Sequence, residues 1–227
     1  MERVYSQSGD RIETRLPVEV RRYGPFTRAN HWLTAACLIL LLISGLGFFH
    51  PSLYFLTGLF GGGQTARMIH PWICVALFAS FFLLFCRMVR LNLPAREDAD
   101  WLANPREVLT GREEKLPELG KYNAGQKLVF WAMSMLIVVL IATGLMMWEQ
   151  YFGGVVSIET RRIATIVHSI AAVLIICTWI IHVYAAFWTR GTISAMTRGT
   201  VTGGWAWRHH RKWLRELARL DRTGPAE

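Results

Sequence analysis

The 227-residue chain has few cysteines, and none of them is spaced like a metal ligand pair. Its four cysteines all fall within or beside apolar runs, and no C-x-x-C motif occurs; they are Cys37, Cys74, Cys86 and Cys177. This pattern excludes a cysteine-ligated zinc or iron–sulfur site in the chain, and the lack of C-x-x-C-H excludes covalently attached c-type haem. The thiols are typical of small buried hydrophobic residues.

Asp, Glu and Lys are missing from the apolar parts of the chain. Hydrophobic residues make up 52% of the sequence although the formal net charge is +9, so charged and apolar residues are segregated. Apolar runs occur at about 32–49, 71–89, 128–148 and 163–188. Each is close to the roughly 20 residues that cross a hydrocarbon core of about 30 Å. We therefore expect an all-α membrane protein built as a four-helix transmembrane bundle.

A cleavable signal peptide is not expected, because the first thirty residues are polar and Arg-rich and the first apolar run is full length. The second run is the weakest of the four, since Arg87 and Arg90 cut it short and must reach an interface. We divide the chain into an N-terminal segment at 1–30, a transmembrane domain at 31–190 and a basic tail at 191–227.

The distribution of positive charge predicts the orientation. Of the 25 Lys and Arg residues, six precede the first run, eight lie between Arg87 and Lys127, and eight follow Trp188. The positive-inside rule then places both termini and the 92–124 loop in the cytoplasm, for a multi-pass protein of the bacterial inner membrane. Topology and attraction to anionic lipid explain the basic tail without nucleic acid. We expect an amphipathic surface helix at 205–220 and a shorter one at 99–110.

Histidines recur at two depths in the predicted bundle. His31 opens the first run at its cytoplasmic end, and His70 opens the second at its outer end. His168 lies one or two turns inside the outer end of the fourth run, and His182 lies near the cytoplasmic end of the same run. The depths pair His70 with His168 and His31 with His182. The fourteen residues between His168 and His182 place both on one helix face, about 21 Å apart.

Two imidazoles at each of two depths suit two b-type haems, because a porphyrin leaves two axial positions of its iron for side chains. His31 and His182 would hold the inner haem iron, and His70 and His168 the outer one. Gly45 follows His31 by fourteen residues and would lie at the outer depth. It either gives a macrocycle room to approach the backbone or belongs to a small-residue packing face with Ser44 and Gly47.

Other interpretations of the histidines remain. A single intramembrane histidine is also typical of a helix–helix hydrogen bond or a proton relay, and a haem-free transporter is one alternative. Proton-coupled transport usually needs intramembrane carboxylates, which these runs lack. A zinc site is disfavoured because each depth offers two candidate ligands. His50 is interpreted as an interfacial residue, and His209 and His210 have no evident partner ligand in the tail.

Four motifs stand out at the starts of the apolar runs and along the fourth: "RANHWL", "RMIHPW", "GKYNAGQK" and "HSIAAVLIICTWIIHVYAAFW", with histidine separations of 39, 98 and 14 residues. Together they resemble the cytochrome b556 (gamma) subunits of membrane-bound respiratory formate dehydrogenases. The resemblance extends from about Arg21 to about Arg219. Residues 1–20 form an N-terminal extension that is longer than the family needs. It implies a four-helix bundle with two b haems, paired as the depths pair the histidines.

The motif "GKYNAGQK" opens the third run on the side predicted to be cytoplasmic. Asn123 and Gln126 can hydrogen-bond a quinone carbonyl, and Gly125 permits close backbone approach, although Asn123 could equally be a helix N-cap. The resemblance implies that this segment helps to form a menaquinone site beside the inner haem, with menaquinone or ubiquinone as acceptor. Tyr122 and Tyr184 are placed nearby by depth.

The resemblance also implies the function and the partners. Electrons from formate would pass from a molybdenum or tungsten catalytic (alpha) subunit through an iron–sulfur (beta) subunit and the two haems to quinone. This chain would be the membrane-embedded subunit of that formate:quinone oxidoreductase, an assembly that can form a higher oligomer, and it would perform no formate chemistry itself. Loops 50–67 and 149–162 would face the iron–sulfur subunit. A cytochrome b subunit of a hydrogenase or thiosulfate reductase is the alternative.

Overall fold

The computed structural model describes residues 11–13 and 18–223, so most of the N-terminal extension at 1–20 lies outside the described residues. Helices in chain order are α1 (Pro25–Phe49), α2 (Gly63–Met88), α3 (Arg96–Leu102), α4 (Pro105–Thr110), α5 (Ala124–Met147), α6 (Glu149–Phe152), α7 (Ile158–Trp188), α8 (Thr192–Thr197), α9 (Gly203–His209) and α10 (Arg211–Thr223). Strands are β1 (Arg11–Glu13), β2 (Glu19–Arg21) and β3 (Thr200–Thr202), and 3-10 helices cover Pro51–Phe60, Val89–Asn92 and Glu113–Lys115.

Four of the described helices are long and apolar enough to cross a membrane, which confirms the predicted all-α class and the four spans. They are α1, α2 with the 3-10 turn that extends it to Asn92, α5 and α7. Each begins four to eight residues before its apolar run because its first turns are polar but still helical. Hydropathy marks the stretch that lipid can cover, whereas backbone hydrogen bonding continues beyond it.

Contacts divide the chain into two compact units. One, here called the bundle unit, comprises Asn30–Phe85 and Trp131–Ile181. The other, here called the sheet unit, comprises Met1–Ala29, Cys86–Phe130 and His182–Glu227.

The core of the bundle unit draws residues from all four long helices. Cys37 and Leu38 of α1 pack in one cluster with Leu77 of α2, Ile137 of α5 and Ile175 of α7. Large hydrophobic residues elsewhere on these helices are exposed, among them Phe82 and Ile180. An apolar core combined with an apolar exterior is the pattern of helices that pack against each other inside lipid.

A buried polar cluster fixes α1 against α2 near the start of α1. The Asn30 side-chain amide donates to the Ser80 carbonyl oxygen (3.0 Å), and the Ser80 hydroxyl donates to Asn30 Oδ1 (2.8 Å). Thr34 Oγ1 lies 2.6 Å from Ser80 Oγ. Because these polar atoms satisfy one another, the cluster sets the register of the two helices without leaving a buried polar group unpaired.

The loop after α1 is folded as the 3-10 helix Pro51–Phe60. His50 caps it, since its Nδ1 accepts from the Ser52 backbone N–H (3.2 Å). A Cβ on Gly47 would lie 2.8 Å from Thr57 Cγ2. Gly47 therefore makes room for this 3-10 helix, which explains one glycine of the "SGLG" stretch by packing.

The sheet unit contains a short antiparallel sheet that the sequence did not predict. The strand order is β1-β2-β3, and β2 pairs with β3 through Glu19↔Thr202, Val20↔Val201 and Arg21↔Thr200. Each strand has three residues, too few to show a period in the sequence.

The amphipathic helix predicted at 205–220 is present as α9 and α10, with a break at His210. Its apolar face is buried: Trp205, Trp213 and Leu217 form a core with Val20 of β2. His210 is buried at the break, and its Nδ1 lies 2.7 Å from the Gly120 carbonyl oxygen. The tail is thus part of a folded core, and the partner of His210 is a backbone carbonyl distant in the sequence.

The helix predicted at 99–110 is two short helices, α3 and α4, because Pro105 begins a new helix after Asn104. Asp98 of α3 accepts from its own N-cap backbone, the Ala95 N–H (2.6 Å), and forms an ion pair with Lys127 of α5 (2.8 Å). Lys212 of α10 pairs with Glu97 of α3 (2.6 Å). These contacts attach α3 to the start of α5 and to the tail.

Candidate functional site

His70 lies on α2 with its ring held by a hydroxyl of α1. His70 Nδ1 is 2.7 Å from Ser44 Oγ. Ser44 is fully buried, and its hydroxyl also lies 2.9 Å from the Leu40 carbonyl oxygen of its own helix.

His168 on α7 has a matching environment on α5. His168 Nδ1 is 2.8 Å from Thr143 Oγ1, and Thr143 Oγ1 is 2.7 Å from the Val139 carbonyl oxygen. The Leu140 backbone carbonyl is a second acceptor within reach of the His168 ring. Two helices that carry no histidine of this pair therefore supply one hydroxyl to each imidazole.

The hydroxyl contacts are consistent with one position of the ring proton. Each hydroxyl has a single proton and lies within hydrogen-bonding distance of a carbonyl of its own helix, which can only accept. When that proton goes to the carbonyl, the hydroxyl oxygen accepts from the imidazole Nδ1–H. The unprotonated nitrogen is then Nε2, the form of histidine that binds metal.

Glycine follows each of these hydroxyl residues. A Cβ on Gly45 would lie 3.7 Å from His70 Cε1, and a Cβ on Gly144 would lie 3.5 Å from His168 Cε1. Both imidazoles thus face helix backbone that carries no side chain. His70 and His168 are half-buried and close enough to interact electrostatically.

His31 and His182 also occupy long helices, α1 and α7 respectively, and both are half-buried. His31 directly follows Asn30 of the buried polar cluster, and its ring lies edge-on to Trp32 with 5.5 Å between centroids. His168 and His182 lie on the same helix.

Asn123 and Gln126 form a reciprocal cap at the start of α5. Asn123 Oδ1 accepts from the Gln126 backbone N–H (2.8 Å), and Gln126 Oε1 accepts from the Asn123 backbone N–H (3.1 Å). The N-cap interpretation of Asn123 is therefore correct. It leaves room for a second role, since capping uses the amide oxygens and orients the two side-chain NH₂ groups.

Gly125 faces an indole. A Cβ on Gly125 would lie 3.1 Å from Trp101 Cη2, so the glycine admits Trp101 of α3 against the first turn of α5. Tyr122 is buried and accepts a hydrogen bond from the Tyr23 hydroxyl (3.0 Å), whereas Tyr184 is largely exposed on α7.

No cluster of three or more His, Cys, Asp or Glu residues that could hold a metal ion occurs among residues 11–13 and 18–223. A membrane-spanning helical bundle in which two imidazoles each have a hydroxyl at Nδ1 and bare backbone beside the ring has the features of a membrane cytochrome b.

The chain belongs to the prokaryotic cytochrome b561 family, which matches residues 22–199. It is 44% identical over 196 residues to the formate dehydrogenase cytochrome b556(fdo) subunit of Escherichia coli K12, covering 86% of this chain and 92% of that one. It is 39% identical over 200 residues to the nitrate-inducible formate dehydrogenase cytochrome b556(Fdn) subunit of the same organism, covering 88% and 92%. A formate dehydrogenase cytochrome b556 subunit of Haemophilus influenzae is 36% identical over 213 residues, covering 93% and 90%.

These similarities confirm the family resemblance read from the four motifs. Membership of a cytochrome b family implies haem b, and the four apolar helices make the chain an integral membrane protein. The sequence interpretation did not identify Thr143 and Gly144. Their signal was present, because "SG" at 44–45 and "TG" at 143–144 repeat one hydroxyl–glycine pair on two helices.

Proposed function

We propose that this chain is the membrane-embedded di-haem cytochrome b subunit of a formate dehydrogenase, transferring electrons to quinone. The observation that carries the proposal is the pair His70 and His168, each with a hydroxyl at its Nδ1 and each facing a glycine. The relatives named above supply the formate dehydrogenase assignment.

The residues around this pair fit a haem. Axial ligation needs an unprotonated imidazole nitrogen, which the Ser44 and Thr143 hydroxyls provide by holding the proton on Nδ1. A planar macrocycle also needs space beside its ligands, and Gly45 and Gly144 place no side chain against the two rings. Bound haem would supply one-electron redox chemistry, and the bundle would supply ligands, burial and insulation from water.

His31 and His182 are proposed as the ligands of a second haem on the basis of their sequence depths. Their positions on α1 and α7 mean that each of these two helices would carry residues of both sites, the inner one and the outer one. α7 would carry one ligand of each haem.

Asn123, Gly125 and Gln126 are proposed to bind quinone at the start of α5. Capping holds both side-chain amides in place with their NH₂ groups as the remaining donors, and a quinone carbonyl is an acceptor. Trp101, packed on Gly125, would provide an apolar wall for the ring or its isoprenoid tail. Hydrogen-bond donors that are held in place beside an aromatic side chain suit a quinone, which is flat and has two carbonyl acceptors.

The proposed orientation places both termini and this segment on the cytoplasmic side of the bacterial inner membrane. Quinone reduction would then take its protons from the cytoplasm, while an iron–sulfur subunit would deliver electrons from the opposite face. The chain has no cysteine set for iron–sulfur clusters, so the iron–sulfur and molybdenum or tungsten subunits would be separate partners.

The first test is the haem content of the purified protein. A pyridine haemochrome assay with a reduced-minus-oxidised spectrum should give two b haems per chain, and His168→Ala should give one. Ser169→Ala, next in sequence on the same helix, is the control and should keep two. A wild-type preparation without haem would refute the proposal, and two low-spin haems in His168→Ala would refute the ligand assignment.

The donor is tested separately. Affinity purification of this chain should isolate a complex that also contains an iron–sulfur subunit and a molybdenum or tungsten subunit. Formate should reduce the haems in that complex. Reduction by hydrogen and not by formate would instead assign the chain to a hydrogenase.

A further inference from the structure

We infer that Ser44 and Thr143 are positioning residues that set the reduction potential of one haem by fixing the tautomer of its two histidine ligands. The inference rests on the proposed function, since it concerns how His70 and His168 would ligate haem. It adds two residues on two further helices to that site.

The two hydroxyls are equivalent in chemistry although they lie on different helices. Ser44 Oγ lies 2.7 Å from His70 Nδ1, and Thr143 Oγ1 lies 2.8 Å from His168 Nδ1. Each donates its proton to a carbonyl of its own helix, at 2.9 Å for Leu40 and 2.7 Å for Val139. With its proton on that carbonyl, each oxygen can accept from the imidazole Nδ1–H.

An acceptor at Nδ1–H makes an imidazole a stronger electron donor at Nε2, because it stabilises the partial negative charge that the ring acquires. A stronger donor stabilises ferric over ferrous iron and lowers the reduction potential. Removal of either hydroxyl should raise the potential, and it should also weaken haem retention, because the ring is free to rotate or to change tautomer.

The two hydroxyl positions differ in one respect, so the two substitutions should shift the reduction potential by different amounts. The Leu140 backbone carbonyl can share the same Nδ1–H of His168, and a side-chain substitution cannot remove that acceptor. For His70, the acceptor in the structure is the Ser44 hydroxyl. Ser44→Ala should consequently shift the potential more than Thr143→Val.

The experiment is a redox titration of the intact, haem-loaded complex, with electron paramagnetic resonance of the ferric haems. Thr143→Val keeps the shape of threonine and loses the hydroxyl, and Thr143→Ser restores the hydroxyl without the methyl. Ser169→Ala is the matched control for Ser44→Ala, because the Ser169 hydroxyl donates within its own helix, to the Thr165 carbonyl (2.9 Å).

We expect the potential of one haem to rise in Ser44→Ala and, by less, in Thr143→Val, with a changed ferric g-tensor for that haem. The other haem should be unchanged, and Thr143→Ser and Ser169→Ala should match the wild type. Haem affinity at the altered site should fall by roughly 10-fold to 100-fold, the range for loss of an outer-shell partner of a metal ligand.

The outcomes separate this inference from the proposed function. Wild-type protein with two haems, and unchanged potentials in both Ser44→Ala and Thr143→Val, would overturn the inference and leave the proposed function intact. A shift in Ser44→Ala alone would support the role of Ser44 and overturn that of Thr143. Loss of haem from Thr143→Val and Thr143→Ser alike would assign Thr143 to packing and overturn its hydroxyl role.

Discussion

His210 shows how a charged-looking segment can hold a neutral side chain. It lies between α9 and α10, buried, with Arg22 Nη2 3.5 Å from its Nε2 and the Gly120 carbonyl at its Nδ1. Burial, and then the positive charge of Arg22, lowers the pKa of His210 well below its ordinary value of 6.5; His209 and Lys121 act in the same direction and the Gly120 carbonyl opposes them. The folded protein therefore keeps this imidazole neutral.

This pKa predicts an acid-sensitive fold. The unfolded chain binds a proton at His210 near pH 6.5 and the folded chain does not, so the free energy of unfolding should fall below that pH by up to about 1.4 kcal/mol per pH unit. The measurement is thermal unfolding of the detergent-solubilised protein between pH 7.5 and 5.5. His210→Asn can still donate to Gly120 and should flatten this pH dependence; an unchanged slope in that variant would assign the effect to other groups.

The glycines beside the histidines give a second prediction at this scale. Gly144→Ala adds a Cβ at 3.5 Å from His168 Cε1, an ordinary contact, so this variant should keep both haems. Gly144→Leu would project a branched side chain into the space that a macrocycle needs, and one haem should be lost. The haemochrome ratio measures both variants. Two haems in Gly144→Leu would show that the space lies on another side of the ring.

Sequence reasoning found the histidines because an imidazole in an apolar run is conspicuous. It did not find Thr143, because a threonine in a transmembrane helix commonly satisfies its hydroxyl on its own backbone. Only the three-dimensional structure shows that the same oxygen also lies 2.8 Å from His168 Nδ1. A residue that acts through another side chain leaves little signal in one sequence.

The start of α5 separates capping from ligand binding. Asn123→Ala removes the side-chain oxygen that accepts from the Gln126 N–H and should cost about 1 kcal/mol of stability. Asn123→Asp keeps that oxygen and adds a negative charge at a helix N-terminus, which is favourable, but it loses the NH₂ donor.

If Asn123 donates to quinone, Asn123→Asp should keep wild-type stability and both haems while quinone reduction falls as it does in Asn123→Ala. The measurements are the melting temperature and the rate of formate-dependent quinone reduction in the complex. Wild-type quinone kinetics in Asn123→Asp would restrict Asn123 to its capping role.

Element positions were predicted well where lipid determines the composition and poorly elsewhere. The four spans followed from apolar runs, yet α1 begins at Pro25 and α7 at Ile158 because polar turns extend them. The strands and the α9–α10 break depend on contacts between residues far apart in the chain, such as Trp213 with Val20. Hydropathy and spacing do not report such contacts.

For the whole molecule, the predicted orientation can be measured with single cysteines. Glu114→Cys and Val155→Cys are both exposed and lie on opposite sides of the membrane in the proposed topology. A membrane-impermeant maleimide should label Val155→Cys in spheroplasts and Glu114→Cys only after lysis, above the background of the wild type. The reverse pattern would invert the orientation and place quinone reduction on the outer side.

The β2–β3 pairing has a consequence for biosynthesis. β2 is made before the first transmembrane helix, and its partner β3 is made after the last one. A nascent chain must therefore insert every span before residues 19–21 find their partner at 200–202, because synthesis proceeds from the N-terminus. Until then β2 offers one unpaired edge, the kind of backbone that invites association with other chains. A polypeptide truncated within α7 lacks β3 and would keep that edge unpaired. The three residue pairs between β2 and β3 therefore form only in a polypeptide that has been synthesised beyond α7.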